Sequence, residues 1–200
     1  MKNKNGFTLI ELMAVLVVIG LLLVLTIPNI VNISKQSKAK AYDTKIDLIE
    51  QMAVYYGMDN KTLIMKGQTP GHDVSSTVKI ISDDKGHITS FTYNSNKPYA
   101  PTETLDTNEY RGNYVTIKEL VEAGQIKWDK EHMCENCTGD HKEYYNNIVV
   151  NPITDNIING CYVYIYYKNN QVNAYFDKAT CSQVSSVPGY MGKEYNPSRS

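Results

Sequence analysis

An apolar segment close to the N-terminus limits the choice of fold more than any other feature of the sequence. The apolar run opens at Phe7, and the 23 residues from Leu12 to Ser34 include no charged side chain. A helix needs about 20 apolar residues to cross the hydrocarbon core of a bilayer. The mean hydropathy of the whole chain is nevertheless −0.37, so the rest of the sequence is polar. We therefore predict two parts in different environments: a transmembrane or assembly helix over residues 7–33 and a polar head.

The remaining composition is that of an ordinary globular domain. The chain has 20 Lys and Arg against 21 Asp and Glu, so its net charge gives no indication of nucleic-acid binding. No Walker loop, G-x-S-x-G, H-E-x-x-H or G-x-G-x-x-G motif is present in the sequence. We accordingly expect no enzymatic activity and no cofactor that the function requires.

One acidic residue, Glu11, interrupts the apolar run near its start. A cleaved secretory signal would end in a small-x-small cleavage site, which the residues after Thr26 lack. A simple membrane anchor would have no use for Glu11, because a carboxylate in hydrocarbon is costly unless it is paired or lies near the end of the span. A third explanation, in which Glu11 has a purpose, comes from the residues around it.

The segment from Gly6 to Leu12, with the sequence GFTLIEL, resembles the prepilin junction of the type IV pilin and pseudopilin family. The short basic leader before it, residues 1–6, and the apolar helix after it agree with the same pattern. The resemblance implies that a membrane enzyme, the prepilin peptidase, cuts after Gly6 and methylates the new amino group of Phe7. It also implies that Glu11 directs assembly by pairing with the Phe7 amine of a neighbouring subunit.

The same resemblance implies a structural function. The chain would be a major or minor pilin of a type IV pilus-like surface filament, polymerised with itself and other pilins on an inner-membrane assembly platform. Its precursor would cross the cytoplasmic membrane once, with residues 58–200 as an extracellular head. Two alternatives stay open: a pseudopilin of a type II secretion or DNA-uptake system, and a membrane-anchored binding domain of another class. No feature of the sequence indicates a nucleic-acid partner.

The helix is predicted to continue into the head over residues 34–57, because an apolar stripe there has helical spacing. Gly57 is expected to end this helix. Pro28 is expected to kink or locally melt it, since proline removes one helical hydrogen bond. The resemblance adds that pilins commonly have a helix breaker near this place, with unwinding in the filament. The stripe consists of Tyr42, Ile46, Ile49, Ala53 and Tyr56.

The fold class predicted for the chain is α+β, with the long helix packed on a small antiparallel sheet as in the pilin fold. Strand-like runs at residues 77–81 and 88–93 indicate one hairpin, and the stretch 94–108 is expected to be a loop. Thr116 and Glu119 form a capping-box pattern that opens a short helix, which should stop at Gly124.

A second hairpin is predicted at residues 161–168 and 171–177, joined by Asn169 and Asn170, because Asn tolerates the positive φ of a two-residue turn. That register places one set of side chains on the core face and a set of tyrosines on the other face. The tyrosine face would be either a contact surface between subunits or a surface whose hydroxyls lie in water or beneath a loop. The core set is Val163, Ile165, Tyr167, Val172, Ala174 and Phe176, and the opposite set is Tyr162, Tyr164, Tyr166 and Tyr175.

The four cysteines, Cys134, Cys137, Cys161 and Cys181, leave two structural explanations open. In an extracellular head an even number of cysteines indicates two disulfides, and the second hairpin brings Cys161 close to Cys181. A structural zinc ion held by all four thiolates is the alternative, with His132 or His141 as a substitute ligand. Zinc is preferred here, because a C-x-x-C pair favours one chelated ion over two bridges.

Overall fold

The computed structural model describes residues 8–100, 104–129 and 148–181, with residues 23–31 described as backbone only. Its five antiparallel strands form one sheet in the order β2-β1-β3-β4-β5, which confirms the α+β prediction. In chain order the elements are α1 (Leu9–Asp59), α2 (Lys61–Met65), β1 (Ser76–Ser82), β2 (Ile88–Ser95), β3 (Glu109–Thr116), α3 (Ile117–Glu122), β4 (Tyr162–Lys168) and β5 (Gln171–Phe176).

The C-terminal half of α1 packs on the sheet through the apolar stripe that its spacing predicted. Ile49 and Ala53 are fully buried. The other three residues are at most 9% exposed: Tyr42, Ile46 and Tyr56. These side chains share one core with the inward face of the second hairpin and with α3. The sheet side of this core includes Val163, Ile165, Val172 and Phe176.

Gly57 has a different role from the predicted helix stop, because α1 continues past it to Asp59. A Cβ atom at position 57 would lie 2.6 Å from Cγ1 of Val172 and 2.7 Å from Cγ2 of Ile165. Both neighbours belong to the buried core. Gly57 therefore allows the last turns of α1 to approach the sheet closely, and the prediction that it ends the helix was wrong.

Replacing Gly57 with Ala should lower the free energy of unfolding by about 1 kcal/mol. Ala is favoured over Gly inside a helix by about 1 kcal/mol, but overpacking a core costs about 1–3 kcal/mol. Denaturant unfolding of the two proteins would measure the difference. Gly160→Ala is the control, because a Cβ there meets nothing within 4 Å; greater stability of Gly57→Ala would contradict the close-approach explanation.

Helix α1 is uninterrupted at Pro28, so local melting is not found in the single subunit. One lost hydrogen bond at proline leaves the bonds of the flanking turns intact, which is sufficient to keep the backbone helical. Unwinding at Pro28 inside a filament stays a prediction.

The two predicted hairpins are present, and the second has the predicted register. Val163 pairs with Phe176, Ile165 with Ala174 and Tyr167 with Val172. The turn residues Asn169 and Asn170 have φ values of 50° and 64°, as a two-residue turn of this type requires. The capping box of α3 is also confirmed, since Thr116 and Glu119 exchange the expected hydrogen bonds.

The tyrosine face of the second hairpin is largely covered by the first hairpin. The ring of Phe91 on β2 lies 4.2 Å from that of Tyr164 and 5.3 Å from that of Tyr175. Because β2 is three places from β4 in the sheet order, this contact requires the sheet to curl over its own outer face. Tyr164 and Tyr166 are buried, whereas Tyr162 is 42% exposed, so the face is mostly a second, aromatic core.

Candidate functional site

The described N-terminal part of α1, residues 9–22, is here called the stem, and its apolar side chains are exposed. They point to all sides of the helix, and their exposed fractions lie between 48% and 78%. Within the described residues, no helix is both long and apolar enough to cross a membrane. The exposed stem side chains include Leu9, Ile10, Leu12, Met13, Val15, Leu16, Val17, Val18, Ile19, Leu21 and Leu22.

Glu11 is held at the start of the stem by a capping box with Thr8. The backbone N–H and the hydroxyl of Thr8 each donate a hydrogen bond of 2.8 Å to Oε2 of Glu11. The Glu11 N–H donates to the Thr8 hydroxyl at 3.3 Å. Both bonds to the carboxylate use the same oxygen, and Oε1 of Glu11 accepts no hydrogen bond from a described residue.

This arrangement fixes a carboxylate at the positive end of a helix dipole, where negative charge is favoured. It also leaves one carboxylate oxygen open to a donor from outside the chain. Sequence reasoning missed the contribution of Thr8, although Thr8 and Glu11 have the same T-x-x-E spacing that predicted the cap of α3.

Residues Gly6 and Phe7 lie outside the described residues, so the predicted cleavage and methylation site stays a prediction. The division into a leader (1–6), a transmembrane or assembly helix (7–33), a helix that continues into the head (34–57) and the head (58–200) likewise stays a prediction. Glu11 is the partner predicted for the Phe7 amine. Its side chain is exposed, and hydrogen bonds to Thr8 of the same chain hold it in place.

The cysteine prediction needs a correction, because Cys161 and Cys181 form a disulfide with their Cα atoms 4.7 Å apart. Sulfur atoms that are bonded to each other cannot act as thiolate ligands. A zinc site that uses all four cysteines was therefore the wrong preference for this structure. Cys134 and Cys137, with His132 and His141, lie outside the described residues, and any bridge or metal there stays a prediction.

Comparison with known proteins bears on the same N-terminal residues. The family model of the prokaryotic N-terminal methylation motif matches residues 1–27, which include the capping box and the stem. Residues 1–27 of the chain therefore carry a prokaryotic N-terminal methylation motif. The predicted family resemblance is thereby confirmed for this segment.

Two curated relatives are similar to part of the chain. The chain is 35% identical over 68 residues to the ComG operon protein 3 homolog of Bacillus licheniformis. It is 31% identical over 68 residues to the competence protein ComGC of Bacillus subtilis. Each match covers 34% of this chain and 65% or 64% of the relative, slightly less than two thirds of the relative's length. No solved structure matches the chain at a significant level.

Proposed function

We propose that the chain is the precursor of a structural, non-catalytic subunit of a type IV pilus-like filament. The observation that carries the proposal is the apolar stem, exposed on every side, with a single acid held at its N-terminal end. A continuous apolar surface of this kind needs hydrocarbon or another apolar surface around it. In the precursor the cytoplasmic membrane supplies that environment, and in the filament the stems of neighbouring subunits supply it.

Processing creates a positive charge that can pair with Glu11, whose carboxylate forms no ion pair among the described residues. Cleavage after Gly6 by the prepilin peptidase removes six residues, exposes the amino group of Phe7 and leaves a chain of 194 residues (200 − 6). Methylation of that amine keeps its positive charge. The assembly platform then adds the subunit to a polymer of the same chain and other pilins.

Pairing between subunits follows from the cost of a buried charge. A carboxylate enclosed by apolar stems is unfavourable unless a cation meets it. Oε2 of Glu11 is already engaged by Thr8, so Oε1 is the oxygen that accepts from the Phe7 amine of the neighbour. Because only the correct axial offset brings the two together, the pair sets register more than it adds stability.

The N-terminal residue of the mature protein tests this proposal. Filaments sheared from cells and analysed by mass spectrometry should give a chain that begins with methylated Phe7. A mature protein that begins at Met1 or Lys2 would contradict the pilin assignment and favour the membrane-anchored binding domain.

A filament that serves DNA uptake is the second candidate, and the names of the two Bacillus relatives favour it over a secretion pseudopilin. Deletion of the coding gene should then abolish transformation by added DNA, and the intact gene supplied in trans should restore it. Normal transformation in the deletion strain would contradict a function in DNA uptake.

A further inference from the structure

A small polar cleft lies on the head, far along the chain from the stem, between the tips of the two hairpins. Its volume is about 300 Å³, which is at the lower end of the range for sites that bind small molecules. One wall comes from the end of β1 and the start of β2, and the other from the turn between β4 and β5.

Most of the polar side chains that line the cleft have hydrogen-bonding capacity that the described protein does not use. The Asn173 amide nitrogen donates to the carbonyl oxygens of Lys168 at 3.5 Å and Gln171 at 3.1 Å, which leaves its amide oxygen open. The amides of Asn169 and Gln171 have no hydrogen-bond partner among the described residues. The polar lining consists of Ser82, Tyr166, Lys168, Asn169, Gln171 and Asn173.

Tyr166 is the most informative member of the lining, because it is only 6% exposed and its hydroxyl bonds to no described residue. A buried tyrosine hydroxyl normally finds a partner. No fully enclosed side-chain oxygen of the described residues lacks one, so the Tyr166 oxygen must keep some contact with solvent. Burial raises the pKa of Tyr166 to about 12, and the group is therefore a protonated donor at neutral pH.

The remaining lining gives the cleft its chemical character. Ile80, which is 3% exposed, and the half-buried Ile88 add apolar surface beside the amides. Lys168 supplies a positive charge, and none of the described residues that line the cleft carries a carboxylate. Several amides and hydroxyls next to a small apolar surface match a ligand with many hydroxyl groups and exposed C–H bonds.

We propose that this cleft binds one saccharide unit, neutral or negatively charged, such as the end of a surface glycan. A nucleic acid fits the same groups less well. A single lysine neutralises at most one phosphate, and the buried ring of Tyr166 offers no face on which a base can stack. The proposal does not depend on filament assembly, because no stem residue takes part.

Binding to the full-length chain, purified in a detergent without a sugar headgroup, tests the proposal. The probes are N-acetylglucosamine, N-acetylneuraminic acid and a short single-stranded DNA. Saturation-transfer NMR and titration measure the binding of each probe. For a ligand of this size a single cleft should give a dissociation constant of about 1 mM.

Two variants locate the binding. Tyr166→Phe removes only the oxygen without a partner, so we expect an unchanged melting temperature and binding about fivefold weaker. Gln171→Ala, at an exposed position, should weaken binding by a similar factor. Asn94→Ala is the control, since Asn94 is an exposed amide on the sheet outside the cleft.

Three outcomes would overturn the proposal. The first is no saturation transfer from either saccharide at about 10 mM. The second is saccharide binding that neither Tyr166→Phe nor Gln171→Ala weakens. The third is binding of the DNA in place of both saccharides.

Discussion

Replacing Glu11 with Ala should abolish or cripple filament assembly while the precursor still enters the membrane and is still cleaved. The stem keeps its apolar side chains, and loss of a carboxylate makes the segment easier to insert. The Phe7 amine of each incoming subunit would then be enclosed by stems without a counter-charge, and an unpaired charge in such surroundings is strongly unfavourable. Filament yield by electron microscopy and shearing, together with membrane fractionation, measures both effects.

Two further variants separate the charge of Glu11 from its hydrogen bonds. Glu11→Gln retains an oxygen that can accept from Thr8 but loses the negative charge, so it should assemble almost as poorly as Glu11→Ala. Thr8→Val removes the hydroxyl that holds Oε2 at 2.8 Å and keeps the charge, so it should assemble more slowly but not fail. Abundant normal filaments formed by the Glu11→Ala variant would contradict the pairing of Glu11 with the Phe7 amine.

The spacing of apolar residues correctly predicted those helices and strands whose core-facing side chains are apolar. The stripe from Tyr42 to Tyr56 and the register of the second hairpin depend only on spacing and on turn chemistry within a few residues. Both are found in the structure. The same local chemistry predicted the cap at Thr116.

Strand β3 had no such signal, and the sequence predicted only that a loop over residues 94–108 precedes it. Its inward positions include Arg111 and Asn113, which are buried but polar. Asn113 is fully satisfied: its amide nitrogen lies 3.2 Å from the carbonyl oxygens of Gly67, His72 and Val74. A strand that buries an amide for tertiary hydrogen bonds lacks the alternation by which strands are recognised.

The packing of the first hairpin on the tyrosine face could not be predicted from the sequence of the second hairpin alone. Alternation correctly separated Tyr164 and Tyr166 from the core set, but it does not say what lies on their side of the sheet. That depends on the curl which brings Phe91 to within 4.2 Å of Tyr164. The candidate site shows the opposite case, because a short motif identified Glu11 and the structure then added its partner Thr8.

Loss of the disulfide should be the largest stability effect within the head. Cys161 and Cys181 are 20 residues apart in sequence. A bridge that closes a loop of that size reduces the entropy of the unfolded chain and raises its free energy by about 3 kcal/mol. Cys181→Ser should therefore lower the melting temperature by about 6–12 °C. It leaves Cys161 in place, which matters because that side chain is 1% exposed and belongs to the core.

Two comparisons show that the effect comes from the bond itself. A reducing agent should lower the melting temperature of the native protein and change that of Cys181→Ser much less. Ala179→Ser alters an exposed neighbouring position and should have no effect. Intact mass and alkylation give a second readout: without reductant, Cys161 and Cys181 should not react with iodoacetamide. If both thiols react with iodoacetamide after a chelator is added without reductant, and the chelator rather than a reductant destabilises the head, these two sulfurs bind a metal and the disulfide assignment is wrong.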